Sequence, residues 1–396
     1  MKSFINILFV LALFPEASIL PVSTNDTQPL FPIIALIYLF YAILKNKFKL
    51  DKMAKYLLLF SVCSILMVNY LYFDFGKYTS IYLPIFTFSI YFFAFKNIKL
   101  LEYKTVTFVI HLYLFVSLIQ QFFPQLYISL FSNFLSVYRW EVGGLTRGNN
   151  SLCVEPSHMA MVGVALYLIS KELYLDNKGS KKIFWINTFS LLIIEFLTKS
   201  VFSYLFFVII IIDNFKLIIK HPKLAIIPFS FTGFFVYNLL SDTTSRFGSF
   251  FLFMIENPLS FLFKDQSFAM RINGIFYGLT SVFYYPFGLF RLEYIPEVLS
   301  IYTNSFLFNF IFPPVIHDAI VDYMTNSFSG IGPYFMRMGL VFVVIVMAIC
   351  IHVYKKNKLY LFVLLMYLLN FSIISAPIWI LISLLQDKNN KYKITQ

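Results

Sequence analysis

Apolar residues in this chain come in blocks of roughly 15 to 20, the length a helix needs to cross a hydrocarbon core about 30 Å thick. Short lysine-bearing segments separate the blocks. A bilayer interior has no water for backbone N–H and C=O groups, so such a block satisfies its own backbone only as a helix. The blocks account for the composition. Of the 396 residues 59% are hydrophobic and 13% charged, against about 45–50% and about 25% in a soluble domain, and the mean hydropathy is +0.77. The expected fold class is all-α: a polytopic transmembrane helical bundle that occupies 1–396 as a single integral membrane domain.

Candidate spans fall at 4–20, 31–44, 56–73, 81–95, 106–123, 159–169, 183–197, 201–212, 224–240 and 334–353. The block 359–386 is long for one span and short for two, and Ser375-Ala376-Pro377 can turn a hairpin within it. The total is about twelve spans, with both termini cytoplasmic. The first block follows Lys2 as a signal peptide would, yet it lacks a small-residue cleavage site and reads as a retained span.

Charge tests this layout. Basic residues favour short cytoplasmic loops, and 22 of the 25 lysines fall on the inner side, leaving Lys77, Lys199 and Lys264 outside. The net charge of +12 therefore reflects topology, and nucleic acid is not an expected partner. The three cysteines (Cys63, Cys153, Cys350) have neither metal-ligand nor disulfide spacing. No Asp-x-Asp pair or ATP-binding glycine loop occurs, so no metal and no cofactor is expected.

All six arginines (Arg139, Arg147, Arg246, Arg271, Arg291, Arg337) fall on the outer side or its edge, against the positive-inside trend. Arginine presents a planar fork of donors suited to phosphate oxygens, whereas lysine is a point charge. The outer face thus reads as the side of an anionic ligand, although pairing with outer carboxylates such as Glu141 or Asp242 is the plainer alternative. Two outer loops are long, 124–158 and 241–333, and the second holds apolar stretches at 250–255 and 306–312 that can lie in the interface or dip into the bilayer. Long loops of this kind usually carry function.

The most informative run is Arg147-Gly148-Asn149-Asn150-Ser151-Leu152-Cys153-Val154-Glu155-Pro156-Ser157. Pro156 suits the first turn of the following helix, whose free N–H groups favour anions. Glu155 can orient Arg147 or accept a proton from a sugar hydroxyl; the plainer reading is an ordinary helix start with an acidic residue favoured by the dipole. Glu195 and Lys199, four apart near the outer end of a span, are expected to neutralise each other.

An arginine, a short spacer and then Glu-Pro-Ser ahead of an apolar helix resembles the Wzy-type O-antigen polymerase family. Two further features are similar to that family: Arg271 opening a run that ends in Pro286-Phe287-Gly288, and Leu197-Thr198-Lys199-Ser200 between two spans. A common second glycine after that proline is absent, Leu289-Phe290 standing there instead. The resemblance implies a C-type glycosyltransferase of the bacterial cell inner membrane. Such an enzyme moves a growing glycan from undecaprenyl pyrophosphate onto the terminal sugar of a fresh lipid-linked repeat unit. It implies catalytic roles for Arg147, Glu155, Arg271 and His317, the last resembling a histidine of the related O-antigen ligases. Arg139, His158, Arg291, Asp318 and Arg337 are expected to bind substrate, and a chain-length regulator is a possible protein partner. The competing readings are an O-antigen ligase, which delivers finished glycan to lipid A–core, and a lipid-linked oligosaccharide flippase or transporter. A flippase should have short loops and charges inside its helices.

Overall fold

The computed structural model describes residues 2–16, 29–68, 75–131, 148–214, 233, 266–288, 295–311 and 331–394. Among these the fold is all-helical, with no strand. The helices are α1 Lys2–Ala12, α2 Leu30–Leu44, α3 Lys52–Val68, α4 Phe75–Asn97, α5 Tyr103–Phe122, α6 Pro124–Phe131, α7 Pro156–Leu175 and α8 Lys181–Thr198. They continue as α9 Val201–Asp213, α10 Gln266–Tyr284, α11 Ile295–Thr303, α12 Phe306–Ile311, α13 Gly332–Met338, α14 Leu340–Tyr354, α15 Lys358–Asn370 and α16 Ala376–Ile394.

Most described apolar blocks became helices within a few residues of the expected limits. Two did not, for identifiable reasons. The first helix ends at Ala12, because Pro15 cannot continue a helix and disfavours the helical conformation at Phe14. The block 334–353 lies across two helices, divided at Gly339, whose φ of +54° lies outside the range an α-helix allows. The block 359–386 is divided between α15 and α16, with the break at 371–375 and Pro377 already inside α16. The second long loop contains a full helix, α10. Apart from residue 233, the block 224–240 and the stretch 250–255 lie outside the described residues.

By length and composition one described helix, Tyr103–Phe122, can cross a membrane; α1, α2, α14 and most of α15 and α16 are shorter apolar helices. Several helices present bulky apolar side chains outward in stripes. These are Ile37, Phe40, Tyr41 and Leu44 on α2, Phe108 and Phe115 on α5, Ile186 and Phe189 on α8, and Val344, Met347 and Ile351 on α14.

The chain divides into two compact units. Unit 1 comprises residues 1–31, 94–252 and 376–396. Its core is α7, buried from His158 through Ser170 and packed against α5, α8, α9 and α16. A helix apolar on all sides belongs in such a centre. Side-chain amides and hydroxyls fix its neighbours. Asn6 on α1 donates to Leu100 O (3.1 Å) and accepts from Glu102 N–H (3.0 Å) and Thr105 Oγ1 (2.7 Å). Hydrogen bonds from Lys104 and Lys2 hold the half-buried Glu102 carboxyl below its ordinary range. Ser180 caps α8 through Ile183 N–H, and Ser200 caps α9 through Phe202 N–H.

Unit 2 comprises residues 32–93 and 253–375. Here α13 packs on α10 and α3, α14 on α3 and α15, and α11 on α10. Aromatic rings fill the contacts: Phe60 lies 5.2 Å from Tyr334 and 5.3 Å from Phe342, and Phe335 meets Phe342 edge-on at 4.9 Å. Such tilted and edge-on pairs suit the ring quadrupoles and contribute about 0.5–1.5 kcal/mol each beyond burial.

Candidate functional site

The segment from Gly148 to Ser157 is the best-defined candidate. Glu155 is extended (φ −132°, ψ 151°), Pro156 occupies the first helical position, and Glu155 O accepts from His158 N–H and Met159 N–H, both at 3.1 Å. The helix start expected from Pro156 is therefore present, without a side-chain cap from Glu155. Ser157 Oγ donates to Glu155 Oε2 at 3.2 Å, and Glu155 remains partly exposed.

A loop buried this deeply must satisfy its own backbone, and three helices supply the partners. From α5, Gln120 Oε1 accepts Asn150 N–H (3.1 Å) and Ser151 N–H (2.9 Å), while its Nε2 donates to Asn150 Oδ1 (2.5 Å). From α6, Tyr127 OH donates to Ser151 O at 2.7 Å; its burial pushes the phenol above its ordinary range. Ser151, itself left-handed at φ 50°, donates its hydroxyl to Tyr113 O at 2.7 Å. Asn149 joins two helices, its N–H donating to Leu197 O and its Nδ2 to Ser117 O, each at 2.9 Å. Asn149 is 1% exposed, its side chain committed to the bond with Ser117 O.

The contact with α8 unites two motifs distant in sequence. Thr198 Oγ1 donates back to Ile194 O, Lys199 turns left-handed at φ 49°, and Ser200 begins the next helix. Gly148 (φ +83°) lies against this turn so closely that a Cβ there would stand 2.0 Å from Thr198 O. Only glycine meets both demands.

Behind the segment stands Glu16. Its Oε2 accepts Val154 N–H at 2.7 Å, and its Oε1 lies 2.5 Å from His158 Nδ1. The Glu16 side chain is wholly buried and that of His158 is 7% exposed. Cys153, also buried, rests its sulfur 3.9 Å from Met159 Sδ. Burial pushes its thiol well up, and the Glu16 carboxylate adds to that shift. Such a thiol is an inert packing group.

Glu195 departs from expectation. It is wholly buried while Lys199 is exposed, and no ion pair joins them. The left-handed turn at Lys199 takes that residue off the helix, so the four-residue spacing no longer brings the side chains together. Neither Glu195 oxygen has a hydrogen-bond partner; Ser203 on α9 is a polar neighbour without hydrogen-bond geometry. The carboxyl fits because α7 carries glycine at 163, where a Cβ would stand 2.0 Å from Oε1.

Unit 2 holds Arg271 and Arg337. Arg271 is 8% exposed on α10. Two residues on, Asn273 accepts from Tyr302 OH, whose burial pushes the phenol up. The run from Arg271 ends in a turn at Pro286-Phe287-Gly288, with Gly288 N–H donating to Tyr285 O at 2.9 Å. This turn meets the α13–α14 junction: Leu340 N–H donates to Pro286 O at 2.7 Å, and a Cβ on Gly288 (φ +91°) would stand 2.2 Å from Arg337 O. The Arg337 guanidinium lies 5.9 Å from the Tyr334 ring centre.

Of the other expected site residues, Arg139, Arg147, Arg291, His317 and Asp318 lie outside the described residues. Among the described residues no three His, Cys, Asp or Glu side chains gather as a metal site. Sequence reasoning missed Glu16, Gln120 and Tyr127, and gave Asn149 no role within the run it singled out. The available signal was polarity out of place: a glutamine in an apolar span and a glutamate at the end of another. Comparison with models of protein families, with characterised proteins and with solved structures returned no match.

Proposed function

We propose that this chain is a polytopic membrane glycosyltransferase that polymerises undecaprenyl-pyrophosphate-linked repeat units on the periplasmic face of a bacterial inner membrane. In this reading it has about twelve spans and cytoplasmic termini. The observation that carries the proposal is the union of Gly148–Ser157 with the Thr198-Lys199-Ser200 turn through Asn149 N–H and Leu197 O at 2.9 Å. Two motifs read separately in the sequence thereby form one place. The outward apolar stripes on α2, α5, α8 and α14 support the membrane setting, since soluble proteins rarely leave such surface uncovered.

The chemistry follows from the donor. An acceptor sugar hydroxyl attacks the anomeric carbon of the growing chain, the carbon–oxygen bond to the lipid pyrophosphate breaks, and the pyrophosphate leaves with the electron pair. Glu155 takes the hydroxyl proton, with His317 as the other candidate base. Arg147 and Arg271 neutralise charge that grows on the leaving group and so act most strongly in the transition state. Arg139, His158, Arg291, Asp318 and Arg337 are assigned to glycan and phosphate contacts. No metal and no cofactor is assigned to the reaction, and the bond broken supplies its energy.

Deletion of the gene tests this. Cells should then display lipid A–core bearing a single repeat unit, and Arg147→Lys or Arg271→Ala should each erase the polymer ladder at normal protein level. Core without any repeat unit would point instead to a ligase or a flippase. The transport reading has one observation of its own, the wholly buried Glu195, since charged residues inside membranes commonly serve transport.

A further inference from the structure

We infer that Glu16 is a positioning residue that fixes the direction of Glu155 by gripping both ends of the Glu155-Pro156-Ser157 turn; its catalytic meaning rests on the function proposed above. The geometry is bidentate. One carboxylate oxygen takes Val154 N–H at 2.7 Å, on the near side of Glu155. The other takes the His158 ring at 2.5 Å, on the far side of Ser157. The residues between the two grips are the three that face outward: Glu155, Pro156 and Ser157 are partly exposed, while Val154 and His158 are buried. Rotation of the turn would break one grip or the other, so Glu155 has a single bearing.

The clamp also bears on a proton. With Glu16 ionised, its carboxylate can only accept, and the His158 nitrogen facing it, Nδ1, carries the hydrogen. A carboxylate behind a histidine fixes its tautomer in this way in metal sites and triads. The reach of Glu16 has a structural cause: α1 stops at Ala12, and the non-helical Leu13–Glu16 stretch is anchored where Leu13 O accepts Tyr113 OH at 3.0 Å. Proline at position 15 therefore ends the helix where its following residue can meet α7.

Two measurements test the clamp, and they fail separately. In the first, the full-length protein labelled with ¹⁵N-histidine is placed in lipid nanodiscs, and the His158 signal is assigned by its loss in His158→Gln. That signal should report Nδ1–H in the wild type and change in Glu16→Gln, whose amide can present a donor to the ring. An unchanged signal, or a wild-type signal without Nδ1–H, overturns the clamp whatever the protein's reaction proves to be. In the second, purified protein in vesicles is supplied with lipid-linked repeat units, and rate per folded molecule is measured. Misplacement of a catalytic group by about 1 Å can cost about a hundredfold. Glu16→Ala should therefore lower kcat about a hundredfold with little change in KM, and Glu16→Gln should restore part of the loss. A wild-type rate from folded Glu16→Ala overturns the positioning role. If the wild type forms no polymer, the polymerase reading fails and takes the catalytic meaning of the clamp with it, while the histidine signal still decides whether Glu16 holds the turn.

Discussion

Units 1 and 2 solve one problem with different emphasis, although unit 1 shares one glycine close approach, at Gly148. Each seats a short turn beside a residue suited to phosphate or proton chemistry. Unit 1 holds Asn149–Val154 with side chains that reach across helices: Gln120, Tyr127, Asn149 and Glu16. Unit 2 holds Pro286–Gly288 by the absence of side chains, with backbone meeting backbone at Gly288, Arg337, Pro286 and Gly339. A turn held by reaching groups is weakened by truncation, and a turn held by close approach is weakened by addition.

The largest expected effect is addition at a close approach, at Gly288 in unit 2 as at Gly148 in unit 1. Gly288→Ala places a Cβ 2.2 Å from Arg337 O at a φ of +91°, and the clash together with the strained backbone should cost about 3 kcal/mol or more. Thermal melting of the purified protein would read this, and a normal melting temperature would break the comparison. Next comes truncation in unit 1. Gln120→Ala strands the Asn150 and Ser151 N–H groups and should cost about 2–3 kcal/mol. Gln120→Met keeps most of the volume without the acceptor and should cost nearly as much. Near-normal stability in Gln120→Met would mean that packing volume, not hydrogen bonding, seats the loop.

Smaller effects sharpen the contrast. Tyr302→Phe removes the hydroxyl that meets Asn273 and should lower stability by about 1 kcal/mol, without changing the seat of the Pro286 turn. Cys153 is smallest of all: its raised, buried thiol should resist maleimide at neutral pH until the protein unfolds. Rapid labelling of the native protein at Cys153 would show that the loop opens, and that the side-chain anchors in unit 1 are weaker than drawn.

What was readable in the sequence follows the range of the interaction. Apolar runs set most helices because a helix satisfies itself locally, and Pro156 marked the start of α7 for the same reason. The break at Gly339 was hidden because its cause, the carbonyl of Pro286, lies elsewhere in the chain. Helix α10 was hidden inside a loop because its apolar residues lie mostly on one face and make no continuous block. Glu155 was legible beside its proline, whereas Glu16 acts on His158 across 142 positions of chain and leaves no local pattern. The Glu195–Lys199 pairing failed for a related reason. Spacing assumes a helix that continues, and this one ends in a left-handed residue.

The fit of Glu195 against Gly163 makes the two positions share one allotment of space. A methyl group added to α7 at 163 has to be taken back from α8 at 195, so Gly163→Ala should be rescued by Glu195→Ala more fully than by Glu195→Gln. Wherever else in such chains a bulkier residue stands at the first position, a shorter one is due at the second.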